Sequence, residues 1–339
     1  MAIALFSTAI GGFVMATFPS FLVLQILYAY WGFTTVFLFW GAMIKATRLW
    51  GGGKNQGKAF GFLDGGRGVI AASIGSIGVF IFSMFLKIEI DLASVVEKQE
   101  AFRYVILFSS FTVIIIGALV LYSMKDEQKD QVKKNSSINS IKNIKSVLKI
   151  KSVWLMMMII MSAYVGYKLT DIYSLYASEV MLYNQIEAAE IGALQLYLRP
   201  LACIVIGLLA DKTSNIRWII IGFLIMLIGA LLFASGIITS SMNIIFLLSL
   251  IITAVGTYAI RALYFAVFNE GRIPLDLTGT AVGIISIIGY TPDIFATPII
   301  GYLLDTYPGI VGHQYVFMML IIFSILGLFA SIKFSKLIS

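Results

Sequence analysis

The chain is 339 residues long, 60% hydrophobic and only 12% charged, with a formal net charge of +7. A water-soluble domain draws about 25% of its residues from the charged set, so half the supply for a wetted surface is absent and a soluble fold is excluded. Stretches without Asp, Glu, Lys or Arg at 1–44, 104–124, 152–167, 218–260 and 306–332 instead suit a hydrocarbon core of roughly 30 Å, which a helix crosses in about 20 mostly apolar residues.

Ten spanning helices are expected, near 2–18, 22–44, 57–85, 103–123, 152–176, 188–210, 217–237, 243–267, 278–304 and 315–333. The first is marginally short, and no basic n-region marks it as a cleaved signal peptide. Connection 45–58 carries Lys45, Arg48, Lys54 and Lys58, and 125–151 carries Lys125, Lys129, Lys133, Lys134, Lys142, Lys145, Lys149 and Lys151. Lys212 and Arg217, then Arg272, then Lys333 and Lys336 fall on the same side if the first span runs from inside to outside. The opposite connections, 19–21, 86–102, 177–187, 238–242 and 305–314, are poor in basic residues, and Glu89, Asp91, Glu97 and Glu100 balance 86–102. The positive-inside rule places the 124–151 loop and the C-terminus in the cytoplasm of a multi-pass plasma-membrane protein. It also accounts for the net charge without a nucleic-acid partner.

The 124–151 segment is the one long polar stretch and divides an N-terminal bundle, 1–123, from a C-terminal bundle, 152–339. Within it Ile138, Ile141, Ile144 and Val147 recur every third residue with Lys142, Lys145 and Lys149 between. That pattern fits an amphipathic helix on the anionic inner leaflet, the alternative being a basic linker without structure. QGKAFG at 56–61 and TGTAVG at 278–283 open the third and ninth spans as an internal repeat, matching Gly57, Ala59 and Gly61 to Gly279, Ala281 and Gly283. Small residues at this spacing let helices approach closely where lipid supplies no hydrophobic drive.

The loop after the sixth span reads GLLADKTSNIR, 207–217. Its Gly207, Asp211, Lys212 and Arg217 resemble the signature loop of the major facilitator superfamily, with Ser214 where a second glycine is usual. Gly207 suits a tight crossing, and Asp211 suits the N-terminus of the next helix. The resemblance implies an all-α bundle of about ten transmembrane helices in two pseudo-symmetric halves. Spans one to four then resemble family helices 3 to 6, and spans five to ten resemble helices 7 to 12. No counterpart of family helices 1 and 2 precedes Met1, so the chain reads as short at its N-terminus.

Ionisable groups inside a bilayer cost several kcal/mol unless they face protein or water, which makes each a functional candidate. They are Asp64 and Arg67 in span three, Lys168 and Asp171 toward the outer end of span five, Arg199 in span six, Arg261 in span eight and Asp293 in span nine. The resemblance puts them on helices that can line the central cavity in this family. Asp64 and Arg67, three apart, can pair with each other. Lys168 and Asp171 can snorkel outward, and share a polar face with Tyr164 and Tyr167. Arg261 lies between Tyr258 and Tyr264 at helical spacing, as a donor stripe or a gate. Arg199, followed by Pro200, and Asp293, preceded by Pro292, are the leading candidates for binding or coupling; the structural alternative is a buried pair between them.

The leading expectation is a secondary transporter working by alternating access on a small solute, with an excess of inward cations favouring an organic anion or sugar-phosphate-like compound. No cofactor is expected beyond a proton or sodium gradient; a protonatable Asp293 suits proton coupling. A solute sensor on the same scaffold and a truncated, inactive permease are the alternatives. A membrane enzyme is excluded, since lone Cys203 and His313 build no disulfide, metal site or catalytic cluster, and no P-loop occurs.

Overall fold

The computed structural model describes residues 1–86, 93–123 and 140–338. The protein is an all-α membrane protein, with no strand among the described residues. In chain order the helices are α1 (Ala2–Met15), α2 (Phe21–Gly32), a π-helical stretch (Phe33–Trp40), α3 (Gly41–Gly51), α4 (Gln56–Phe85) and α5 (Val95–Ser123). There follow α6 (Ser140–Leu148), α7 (Lys151–Lys168), α8 (Ile172–Glu179), α9 (Gln185–Asp211) and α10 (Asn215–Ala234). The last four are α11 (Asn243–Leu263), α12 (Thr278–Gly289), α13 (Pro292–Thr306) and α14 (Ile310–Ile338). Joined across short turns, they make nine runs long and apolar enough to cross a membrane, and the shorter apolar α1 completes the expected segments.

Four local features depart from expectation. The 86–102 connection is partly helix, because α5 starts at Val95 behind a capping box: Ser94 N and Oγ donate to Glu97 Oε2 at 2.9 and 2.7 Å, and Glu97 N donates back to Ser94 Oγ. Glu97 and Glu100 therefore sit on a helix, while Glu89 and Asp91 lie outside the described residues. So do Lys125, Lys129, Lys133, Lys134 and Ile138. Span five is interrupted by a 3₁₀ turn at Leu169–Asp171, and span nine breaks between Gly289 and Pro292, whose missing N–H suits the first turn of α13. His313, expected in a polar connection, is buried on α14 with Nε2 2.9 Å from Glu179 Oε2.

The described chain clusters into two compact units: Met1–Ala46 with Ile70–Asn143, and Thr47–Val69 with Ile144–Ser339. In the first, α1 packs on α5 and on the π-helical stretch through small residues, Gly12 against Ser110 and Gly117 against Phe6. Three of its polar side chains bond backbone carbonyls within the unit, as lipid favours. Tyr30 Oη donates to Ser7 O at 2.7 Å, Trp31 Nε1 to Thr8 O at 3.0 Å, and Arg103 Nε to Ala16 O at 3.0 Å.

In the second unit α10 packs against α11 and α14, and α14 against α7. Gly222 and Gly256 allow backbone-close crossing of α10 and α11, because a Cβ on Gly256 would stand 2.7 Å from Met226 N and 2.8 Å from Gly222 O. An aromatic core of Tyr173, Tyr176, Phe233, Phe246 and Phe317 fills one end, with Phe233 and Phe317 stacked at 4.3 Å.

Candidate functional site

The site grows from the crossing of α4 and α9 inside the second unit. A Cβ on Gly57 would stand 2.6 Å from Gly207 O, and one on Gly61 2.6 Å from Cys203 O. Only hydrogen fits there, so the backbones touch and the next turn of α4 delivers Asp64 to α9. Arg199 Nη2 donates to Asp64 Oδ1 at 3.0 Å, with Nε 3.4 Å from Oδ2. Arg261 Nε of α11 is 3.4 Å from Oδ1, and Arg67 Nη1, one turn on, 3.5 Å. Cys203 Sγ donates to Oδ2 at 3.5 Å. One carboxylate, 5% exposed, thus lies among three guanidiniums.

Arg261 is itself buried, and its Nη1 has no hydrogen-bond partner among the described residues. Its guanidinium lies 3.6 Å from the centre of the Tyr167 ring, which Arg199 approaches at 5.8 Å. The ring quadrupole attracts both cations, while Arg199 keeps its bonds to Asp64 and Arg261 Nη1 stays without a partner among the described residues. Tyr164, one residue-triplet earlier on α7, faces Arg261 at 5.9 Å and donates its hydroxyl to Asp293 Oδ2 at 3.1 Å. Lys168 Nζ is 2.5 Å from Asp293 Oδ1, and the Asp293 side chain is 47% exposed. Tyr164 meets Tyr290 edge-on at 4.8 Å, and Tyr290 Oη is 3.4 Å from Tyr264 Oη.

Several expected pairings are corrected by this geometry. Arg199 pairs with Asp64 and not with Asp293, because the glycine crossing brings α4 within reach and Lys168 occupies Asp293. Asp64 contacts Arg67 but lies nearer Arg199. Lys168 turns inward to a carboxylate, whereas Asp171 is exposed in the 3₁₀ turn, apart from the cluster. Asp211 does not cap the helix that follows it. Its carboxylate accepts from Gly57 N and Lys58 N, both at 2.7 Å, so it caps α4. Glu270 takes the other role, accepting from Asn215 N at 2.8 Å and Ile216 N at 3.1 Å at the start of α10. Lys212 and Arg217 are exposed. Among the described residues no group of three or more His, Cys, Asp or Glu is placed to hold a metal.

The sequence profile of the Major Facilitator Superfamily matches residues 1–297. The chain belongs to this superfamily. This facilitator is therefore a membrane transporter and not an enzyme, of a family whose members bind small solutes within the membrane. It is 28% identical over 326 residues to the inner membrane protein YqcE of Escherichia coli K12, covering 93% of this chain and 74% of the relative. It is 26% identical over 349 residues to the inner membrane protein YihN of the same organism, covering 100% and 80%. Among solved structures, FucP in the outward conformation superposes with a TM-score of 0.70 at 15% identity, covering 97% of this chain and 82% of that one. A double-tryptophan variant of XylE gives 0.73 at 14% identity, covering 100% and 78%. At such identities the likeness is one of fold.

One residue of the facilitator escaped sequence reasoning. Arg48, counted there with the basic loop residues, is buried: Nη1 donates to Thr278 Oγ1 at 2.5 Å, and Nη2 to Asn269 Oδ1 at 2.7 Å and Ile273 O at 2.9 Å. Its guanidinium also lies 5.2 Å from the Phe268 ring. Only its being arginine, in a loop otherwise basic through lysine, sets it apart, since arginine is the residue that satisfies several fixed acceptors at once.

Proposed function

We propose that this facilitator carries a small organic anion by alternating access, with Arg199 and Arg261 as the anion clamp. The observation that supports this most lies around Asp64: Arg199 and Arg261 both lean on its one carboxylate, and Arg261 keeps a buried donor without a partner among the described residues. A buried donor without an acceptor costs about 1–3 kcal/mol. A carboxylate or phosphate oxygen supplied by a solute removes that cost and takes the fork bidentately. Tyr167 and Tyr164 form the aromatic floor of the clamp. Asp293, held by Lys168 and Tyr164 yet half-exposed, is the carboxylate assigned to coupling with a proton or sodium gradient.

In this reading the moving bodies are the bundles 1–123 and 152–339, with the 124–151 connection and the C-terminus in the cytoplasm of the cell membrane. Gly207, Asp211, Lys212 and Arg217 belong to its cytoplasmic gate. The experiment is uptake of labelled organic anions into proteoliposomes by the wild type, Arg199→Ala and Arg261→Ala. Uptake is expected to be lost in both variants; equal uptake by all three removes the clamp. Saturable binding without flux would mark a sensor.

A further inference from the structure

We propose that α6 is a lipid-reading helix, docked on an anionic leaflet, and that this interaction holds the segment entering span five. At 3.6 residues per turn its nine residues divide into three arcs. Val147 is fully buried, so one arc faces protein. Next come Ile144, Leu148 and Ile141, all exposed, Ile141 by 71%. Lys145 and Lys142 follow around the cylinder, with Lys149 in the turn just past the helix, and all three are exposed. A soluble surface helix buries its apolar arc; this one shows it, directly beside its cations. That order is the signature of a helix lying in the interface, with the apolar arc toward the acyl boundary and the ammonium groups reaching the phosphates.

Position favours the same partner. The chain is extended at Ile150 and then begins α7, a membrane span, at Lys151. Trp154, exposed one turn into α7, donates Nε1 to Leu148 O at 2.9 Å. Tryptophan at the end of a span marks headgroup depth. The bond therefore pins the C-terminal end of α6 at the level where phosphates lie. Lysines near such a surface attract anionic headgroups electrostatically, and zwitterionic lipid gives them no net charge to meet.

The test uses the whole protein in nanodiscs, with an environment-sensitive fluorophore on Ile144→Cys; Cys203 is buried and stays unlabelled. Discs of phosphatidylcholine alone are compared with discs that also contain phosphatidylglycerol. Emission is expected to shift to the blue in the anionic discs and to return toward the water-exposed value in high salt. Replacing Lys142, Lys145 and Lys149 together by Gln should weaken docking about a hundredfold and remove the difference between the lipids. Identical emission in both lipids overturns the proposal, as does a blue shift that survives the triple substitution. Because both disc faces carry the same lipid, the result does not depend on the orientation or the transport activity proposed above. Ile141→Ser should reduce the shift without altering its salt dependence.

Discussion

Asp64→Asn is the substitution that the geometry makes most consequential. Asp64 Oδ1 stands 3.0 Å from Arg199 and 3.4 Å from Arg261, whose side chains are 11% and 7% exposed. At an effective dielectric of about 20 each contact is worth about 5 kcal/mol before desolvation. Removing one member of a buried ion pair costs about 3–5 kcal/mol, since the partner charge remains without compensation. Arg67 is farther away and more exposed, so its share is below about 1 kcal/mol. Thermal unfolding in detergent, followed by tryptophan fluorescence, should show Asp64→Asn well below the wild type. Arg199→Gln should cost less, because Asp64 keeps Arg261 and Arg67. The double variant should be more stable than the sum of the single effects predicts, with a coupling energy of about 1–3 kcal/mol. An Asp64→Asn protein as stable as the wild type, or a strictly additive double variant, would refute the central role given to this carboxylate. A second consequence has the opposite sign: the amide releases the guanidiniums that the proposed anion needs, so anion binding by the surviving folded fraction should tighten.

Gly61→Val should destabilise by about 1–3 kcal/mol, because its Cβ meets the Cys203 carbonyl. Gly283→Val, at the matching place in the repeat but with nothing within 4 Å, should stay within about 0.5 kcal/mol in the same unfolding assay. Asp211→Asn retains oxygen for one of its two backbone donors and loses the charge at the start of α4, for a cost of about 1 kcal/mol that added salt should shrink. Tyr167→Leu should lower anion uptake by removing about 1–2 kcal/mol of cation–π attraction at Arg261, whereas Tyr167→Phe should keep most of it.

The helices and their ends were largely legible in the sequence, because a bilayer enforces length and apolarity on every span and leaves few alternatives. The start of α5 was written there too, as the Ser94-x-x-Glu97 capping box, but four glutamates and aspartates within 86–102 made the segment look like a loop. Candidate residues were legible for the same reason as the spans: a charge in hydrocarbon stands out against its surroundings. Their partners were not. Asp64 and Arg199 are 135 positions apart in sequence, and their meeting depends on which helices cross where. The clue was present in Gly57, Gly61 and Gly207, read separately as a repeat and as a loop signature, although these residues face one another. Small-residue spacing alone does not reveal such a contact, since Gly279 and Gly283 have it and a Cβ on either would meet no neighbouring element within 4 Å among the described residues.

Asp64 and Asp293 illustrate how far composition and structure differ in what they can decide. In sequence both are single carboxylates within apolar spans, and Pro292 drew attention to Asp293. In the fold, Asp64 is enclosed by guanidiniums, so removing it should chiefly damage stability. Asp293 has one ammonium, one phenol and open space beside it. A carboxylate whose ion-pair neighbours are fewer and whose side chain is more exposed can exchange its partner at lower cost. That contrast is why coupling is assigned to Asp293 and anion recognition to the arginines around Asp64.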